Sequence, residues 1–482
     1  MSFNSLAFLA FLPVVFCLYW FVFGRNLKWQ NLFVVAASYI FYGWWDWRFL
    51  LLIAFTSFCT FGSGLLIRKY REEKPQRARW IRTANIVLNL GILALFKYYD
   101  FFAQSFADLF LGGNSDTLLL HLVLPVGISF YTFQAVGYTV DVYRGQFEPV
   151  RDPVQFFAFL CFFPQLVAGP IERAADLLPQ FGRRRNFDYA TAVDGLRQML
   201  WGFFKKVVVA DSCAIYVNEV FAHSADYTGM QLIVAGLFFS VQVYGDFSGY
   251  SDIAVGTAKL FGIHLHRNFA FPLFSRSVTE FWRRWHVSLM LWFRDYIYIP
   301  LGGSRCSKLK QFRNTLIVFL ICGFWHGAKW TALAWGAYTA LLYIPHILSA
   351  KKKKYRDTVA QDRALPSLKE TAQIALTLVL TTIGNTIVRS DTLSQAGDML
   401  LRMVQWTPGA GLSFLLTGEF LQRMIWIIPM LLIEWRDRRL EHGLSMQGIH
   451  SRPVRYAVYI ALLFLVALFF DNQSPDFIYF QF

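Results

Sequence analysis

Long apolar runs separated by short charged breaks recur from one end of this chain to the other. They cover Leu6–Phe23, Leu32–Trp45, Phe49–Ile67, Ala84–Phe110, Leu118–Val140, Phe156–Ala168, Met230–Tyr244, Thr315–Leu348, Ala372–Val388, Leu412–Trp435 and Val454–Phe470. A helix that crosses a bilayer needs ~20 largely apolar residues. The longer runs meet that length. The shorter ones predict broken or re-entrant segments, which a membrane tolerates only where irregular backbone is buried in protein or lines a cavity. The pattern predicts an all-α polytopic membrane protein, one integral domain over 1–482. The first run has no cationic leader and no small-residue cleavage site, so it reads as a retained helix, not a signal peptide. Composition agrees: 56% of residues are apolar and only 16% charged, more apolar than a soluble protein.

The middle of the chain breaks the pattern. From about Arg144 to Arg313 the apolar runs are short and mixed with charge. FFPQLVAGPIE (162–172) carries Pro164, Gly169 and Pro170, so it does not form a straight span. RQMLWGFFKKVVVAD (197–211) predicts a helix with Lys205 and Lys206 near an interface. VYGDFSGYSDIAVG (243–256) follows an apolar run with Asp246, Ser248 and Asp252, either a polar helix terminus or the wall of a cavity. SVTEFWRRWHVSLMLWF opens with the S-x-x-E form of a capping box at Ser277. A continuous helix from there puts Trp282, His286, Leu289 and Phe293 on one face, with Arg283, Arg284 and Arg294 beside it. It ends at Pro300-Leu301-Gly302-Gly303.

One residue contradicts its surroundings most sharply. ICGFWHGAKW (321–330) holds His326 inside apolar sequence. If its helix begins near Asn314, a rise of ~1.5 Å per residue puts the imidazole roughly 18 Å in, near the middle of a ~30 Å core. An ionisable group at that depth is a candidate functional residue. No protein nucleophile accompanies it in Ser-His-Asp order or on a GxSxG elbow. A lone base suits direct transfer, in which it deprotonates a substrate hydroxyl that attacks an acyl donor.

The formal net charge of +15 adds topology, not nucleic-acid binding. The positives lie between spans, as the positive-inside rule requires. Arg68 to Arg82, Lys351 to Lys354 with Arg356, and Arg436 to Arg439 read as cytoplasmic loops, which puts the N-terminus outside. The same clusters suit a polyanionic donor or anionic lipid headgroups. Six cysteines have no CxxC spacing, and His264 with His266 in HxH spacing is weak evidence for a metal, so no metal site is expected.

Five stretches together carry a resemblance: VLPVGISFYTFQAVGYTVDVYRG (123–145), FFPQLVAGPIER (162–173), VYGDFSGYSDIAVG, NFAFPLFSRSVTEFWRRWHVSLMLWFRDYIYIPLGGSR (268–305) and GFWHGAKWT (323–331). They are collinear and resemble the membrane-bound O-acyltransferase superfamily. FYGWWDWRFL (41–50) and SPDFIYFQF (474–482) look like its exopolysaccharide-acetylating, alginate-type branch, to which the teichoic acid D-alanyl transferases are related.

The resemblance implies a ring of transmembrane helices around a thin centre with a tunnel. It implies a motif-bearing catalytic core over 123–331 flanked by scaffold over 1–122 and 332–482. It implies catalytic roles for His326 and His286. Trp282, Trp285 and Trp325 are then expected to line the tunnel, the alternative being that they simply fill the core, as aromatics more often do. Arg283 and Arg284 meet the donor, and Asp246 and Ser248 line the polar centre. No bound cofactor is expected; acetyl-CoA is the expected acyl donor substrate. The expected partners are membrane lipids, a periplasmic or membrane-anchored SGNH-type acetyltransferase and, through it, a polysaccharide acceptor at the bacterial inner membrane. D-alanyl transfer from a carrier protein is the alternative chemistry, and an export transporter or scaffold the alternative without chemistry.

Overall fold

A computed structural model describes residues 1–112, 118–167, 169–349, 355–405 and 417–470. Among these the chain is helical throughout, without a strand. Five of the described helices are long and apolar enough to cross a bilayer: Arg48–Tyr70, Pro75–Lys97, Gly229–Leu260, Leu368–Arg389 and Arg452–Phe469. The protein is therefore an all-α, multi-pass membrane protein. Many of its apolar side chains face outward, as lipid-facing helices require. Ile460, Leu463, Phe464 and Leu468 of the last helix are all exposed, which is affordable only in hydrocarbon.

Several runs that read as single spans are broken. Ala84–Phe110 divides into the ends of Pro75–Lys97 and Tyr99–Phe110. Leu118–Val140 becomes helical only at Ile128, after Gly127 adopts φ 73. A side chain on Gly127 would run into the Leu166 carbonyl. Thr315–Leu348 divides into Lys308–His326, Trp330–Leu342 and Ile344–Leu348. Conversely, Met230–Tyr244 continues without interruption to Leu260. Ala168, the start of the Leu412–Trp435 run, the lysines at 351–354 and the 474–482 motif lie outside the described residues.

The chain forms two compact units. The first comprises 1–195 and 254–266. In it Arg48–Tyr70, Pro75–Lys97 and Ile128–Arg144 pack together around a polar seam. Asn85 Nδ2 donates to Thr139 Oγ1 at 2.7 Å, and Asn89 Nδ2 to Thr60 Oγ1 at 3.5 Å. Such interhelical bonds hold helices where lipid supplies no hydrophobic drive between them. The FFPQL segment makes one short turn, Phe163–Leu166, with every residue buried. That satisfies the condition for irregular backbone at depth. His266 Nδ1 lies 2.6 Å from Glu172 Oε2, and this hydrogen bond holds the imidazole above the ordinary histidine range.

The second unit comprises 196–253 and 267–482. Lys205 and Lys206 are buried inside the protein, 2% and 1% exposed. Burial is possible because carboxylates surround them. Lys205 Nζ lies 2.6 Å from Asp252, 3.8 Å from Glu434 and 2.8 Å from Ser248 Oγ. Lys206 Nζ lies 2.7 Å from Asp246 and 2.8 Å from Asp211. Glu434 also accepts from Tyr244 at 2.8 Å and Trp201 at 3.4 Å. The DFSGYSD stretch is thus the interior of a helix bonded to a pair of lysines, not a helix terminus.

This network predicts a stability effect. Lys206→Met removes the ammonium that Asp246 and Asp211 share, and breaking a buried pair costs about 3–5 kcal/mol. The melting temperature in detergent is expected to fall clearly, as read by thermal aggregation of the purified protein; an unchanged melting temperature contradicts the assignment.

Candidate active site

His326 is the last residue of the Lys308–His326 helix. The helix starts six residues earlier than the sequence suggested, so the imidazole lies about 27 Å along it, at its end and not mid-way. The ladder stops because Gly327 is extended, with φ −163 and ψ 138. The chain then turns back into Trp330–Leu342. Two glycines let the two helices touch. A Cβ on Gly323 would strike the Ala332 carbonyl, and one on Gly336 the Phe319 carbonyl. This close approach carries Trp335 to the imidazole, with ring centroids 5.3 Å apart and planes at 89°.

His326 is half-buried and sits on the wall of a cavity of about 60 Å³. Trp282, Trp285, Phe281 and Trp335 form much of the remaining wall. Trp282 packs edge-on against Trp335 at 5.7 Å, and Trp285 stacks on Phe281 at 5.3 Å. The polar lining includes Tyr338, Thr339, Thr381 and Asn385. Asn385 is tied to Ser240 by a 3.0 Å bond, and Tyr338 to the Leu380 carbonyl by another. The arrangement is a mostly apolar pocket with few polar groups and one histidine, the usual character of a small-molecule site.

His286 reaches the same region by a different route. The continuous helix expected from Ser277 does not form. It is Val278–Arg284, a break, then Val287–Phe293. Trp285 is extended (φ −97, ψ 127) and His286 is left-handed (φ 44, ψ 53). The break is held from outside the helix. The Ala270 amide donates to the Arg284 carbonyl, and the Val287 amide to the Asn268 carbonyl, both at 2.9 Å. Ser277 does cap the first helix, accepting from the Glu280 amide at 3.2 Å. The Glu280 carboxylate, however, binds Arg276 and Arg284. His286 is 1% exposed. Its ring meets Phe247 at 4.6 Å and Trp325 at 5.9 Å, and Trp325 meets His326 at 4.9 Å. The two histidines therefore flank one tryptophan. Burial, reinforced by His326, holds His286 well below the ordinary histidine range.

The other residues singled out in the sequence divide between two places. Arg283 and Arg284 line a polar cleft of about 490 Å³ with Glu280, Tyr355, Arg356 and Thr358. Arg283 is the more available: among the described residues its hydrogen bonds go to backbone carbonyls, of Thr279 and Tyr355. Arg284 is committed to Glu280 through two bonds, at 3.1 and 2.9 Å. Asp246 and Ser248 hold the buried lysines and do not line the His326 cavity. Sequence reasoning passed over Trp335, Asn385 and Asn268. Their only signal was position within or near the matched stretches, because each meets the site through residues distant in sequence.

Comparisons with known proteins agree with one another. The family described as "MBOAT, membrane-bound O-acyltransferase family" matches residues 147–351. A probable alginate O-acetylase of Pseudomonas syringae pv. tomato is 38% identical over 402 residues, covering 83% of this chain and 74% of the relative. A peptidoglycan O-acetyltransferase of Helicobacter pylori is 36% identical, covering 69% of this chain and 68% of that one. A teichoic acid D-alanyltransferase of Streptococcus thermophilus is 30% identical over 51% of this chain and 61% of its own length. The geometry itself makes a prediction about accessibility. In detergent, diethyl pyrocarbonate is expected to modify half-buried His326 well before fully buried His286, as followed by peptide mass spectrometry; equal rates contradict the described cavity.

Proposed function

The chain belongs to the membrane-bound O-acyltransferase family, and on that premise we propose that it moves an acetyl group from cytosolic acetyl-CoA toward O-acetylation of an alginate-like exopolysaccharide, with His326 as general base. It is an O-acyltransferase embedded in a membrane. The observation that carries the reading of the site is His326 on the wall of a tryptophan-lined cavity, with His286 across Trp325. A thioester is already a reactive donor. The remaining task is to hold it beside a hydroxyl and remove that proton. In this reading the acceptor O–H gives its proton to His326. The oxygen attacks the thioester carbonyl, the C–S bond breaks, and the departing coenzyme A thiolate takes the proton from the imidazolium.

The other groups have supporting roles in the reading. His286 orients or binds one substrate. Trp282, Trp285 and Trp325 pack against the acyl group and keep water away from the thioester. Arg283, with Arg284 and Arg356 in the same cleft, supplies positive charge for the phosphates of acetyl-CoA. The acceptor side completes the picture: the acetyl group passes through an SGNH-type periplasmic or membrane-anchored partner to an envelope polysaccharide, from a protein in the bacterial inner membrane with its N-terminus outside. The names of the alginate and peptidoglycan relatives support acetyl as the acyl group.

Replacing His326 with alanine is expected to lower polymer acetylation by about 10²- to 10⁴-fold, the usual contribution of a positioned base, at an unchanged membrane level of the protein. Undiminished acetylation overturns the role. Arg283→Gln is expected to raise the KM for labelled acetyl-CoA several-fold with little change in kcat. If the membranes consume only a D-alanyl carrier and never acetyl-CoA, the donor assignment fails while the test of His326 stands separately.

A further inference from the structure

Asn268 is a buried side chain that the proposed reaction does not use, 1% exposed in an irregular segment before the Pro272 turn. Its Oδ1 accepts from the Ser288 amide at 3.3 Å and from the Ser288 hydroxyl at 3.0 Å. The same Oδ1 lies 3.1 Å from His286 Nδ1. Its Nδ2 donates to Ser251 Oγ at 3.3 Å. Its backbone carbonyl accepts from Val287 at 2.9 Å. One side chain therefore grips the turn on which His286 sits from several directions.

We propose that Asn268 is a positioning residue that fixes His286 in a single tautomer, with the proton on Nδ1 and the lone pair on Nε2. The inference rests on the reading of His326 and His286 as one site. The argument is one of donors and acceptors. A backbone N–H only donates, so the amide atom of Asn268 facing Ser288 is the oxygen. That oxygen has no proton to give, so Nδ1 of His286 must supply one. A neutral imidazole carries one ring N–H, so Nε2 is an acceptor. His286 then takes hydrogen bonds from a substrate at Nε2 and does not give them.

Two further features point the same way. A left-handed conformation is unfavourable for a non-glycine residue and persists only where surrounding contacts over-determine it. His286 has φ 44, and the Asn268 bonds supply those contacts. The ring faces Phe247 of the Gly229–Leu260 helix, Phe269 beside Asn268, and Trp325. His326, on the helix that ends beside it, is the titratable neighbour acting on it.

The test compares Asn268→Asp with Asn268→Leu, measuring kcat and KM for acetyl transfer across pH. Aspartate keeps the acceptor and adds a charge that favours protonated His286. The acid limb of kcat/KM is expected to move to higher pH, with near-normal activity above it. Leucine removes the acceptor, and kcat is expected to fall by about 10- to 100-fold at every pH, the usual size of losing a partner that orients a working histidine. A pH profile for Asn268→Asp that superimposes on that of the unaltered protein overturns the proposal, as does full activity of Asn268→Leu. The aspartate variant keeps every acceptor bond, so the outcome does not hinge on whether the leucine variant folds. Loss of activity in His326→Ala with full activity in both Asn268 variants rejects this inference alone; full activity in His326→Ala rejects the site on which it rests.

Discussion

A hydrogen-bonded helix cannot present a side chain to a cavity and also turn back on itself, and the end of the Lys308–His326 helix resolves that conflict. The ladder stops at His326 because Gly327 leaves helical geometry. Two glycines then allow backbone-to-backbone contact between that helix and Trp330–Leu342. Without that closeness Trp335 would stand away from the imidazole, and the cavity would lack one wall. The Trp335 wall of the cavity follows from this tight helical hairpin, while Phe281, Trp282 and Trp285 come to it from Val278–Arg284 and the break that follows.

Charge is handled in two different ways in the same unit. Lys205 and Lys206 are taken out of solvent and given carboxylates, so their charge is neutralised locally. Arg283 keeps its guanidinium at an open cleft, bonded among the described residues to backbone carbonyls. The first arrangement ties Gly229–Leu260 to the segment carrying the lysines and to Glu434. The second leaves positive charge for an anionic ligand. Both lie on sequences of similar appearance, basic residues among aromatics, and only the partners separate them.

The two histidines also differ in kind. His326 stands at a helix end, half-buried and open to a cavity. His286 is fully buried in a left-handed turn, gripped by Asn268 and packed on Phe247. A fully buried imidazole held by a hydrogen bond thus stands, across one tryptophan, from a more accessible one.

The amino-acid sequence by itself determined the all-helical membrane class, because runs of apolar residues of bilayer length have no other stable solution in lipid. It also singled out His326, because an ionisable group in such a run is costly and needs a reason. It did not determine where helices break. The interruptions at Trp285–His286 and after His326 depend on amides and carbonyls of distant segments, Asn268 and Ala270 for the first and the glycine contacts with Trp330–Leu342 for the second. Nor did it reveal that Lys205 meets Glu434, or that Asp246 serves a lysine and not the cavity. Local propensity is written in neighbours along the chain. Burial of charge, left-handed turns and the walls of a pocket are set by groups that become neighbours only when the chain has folded.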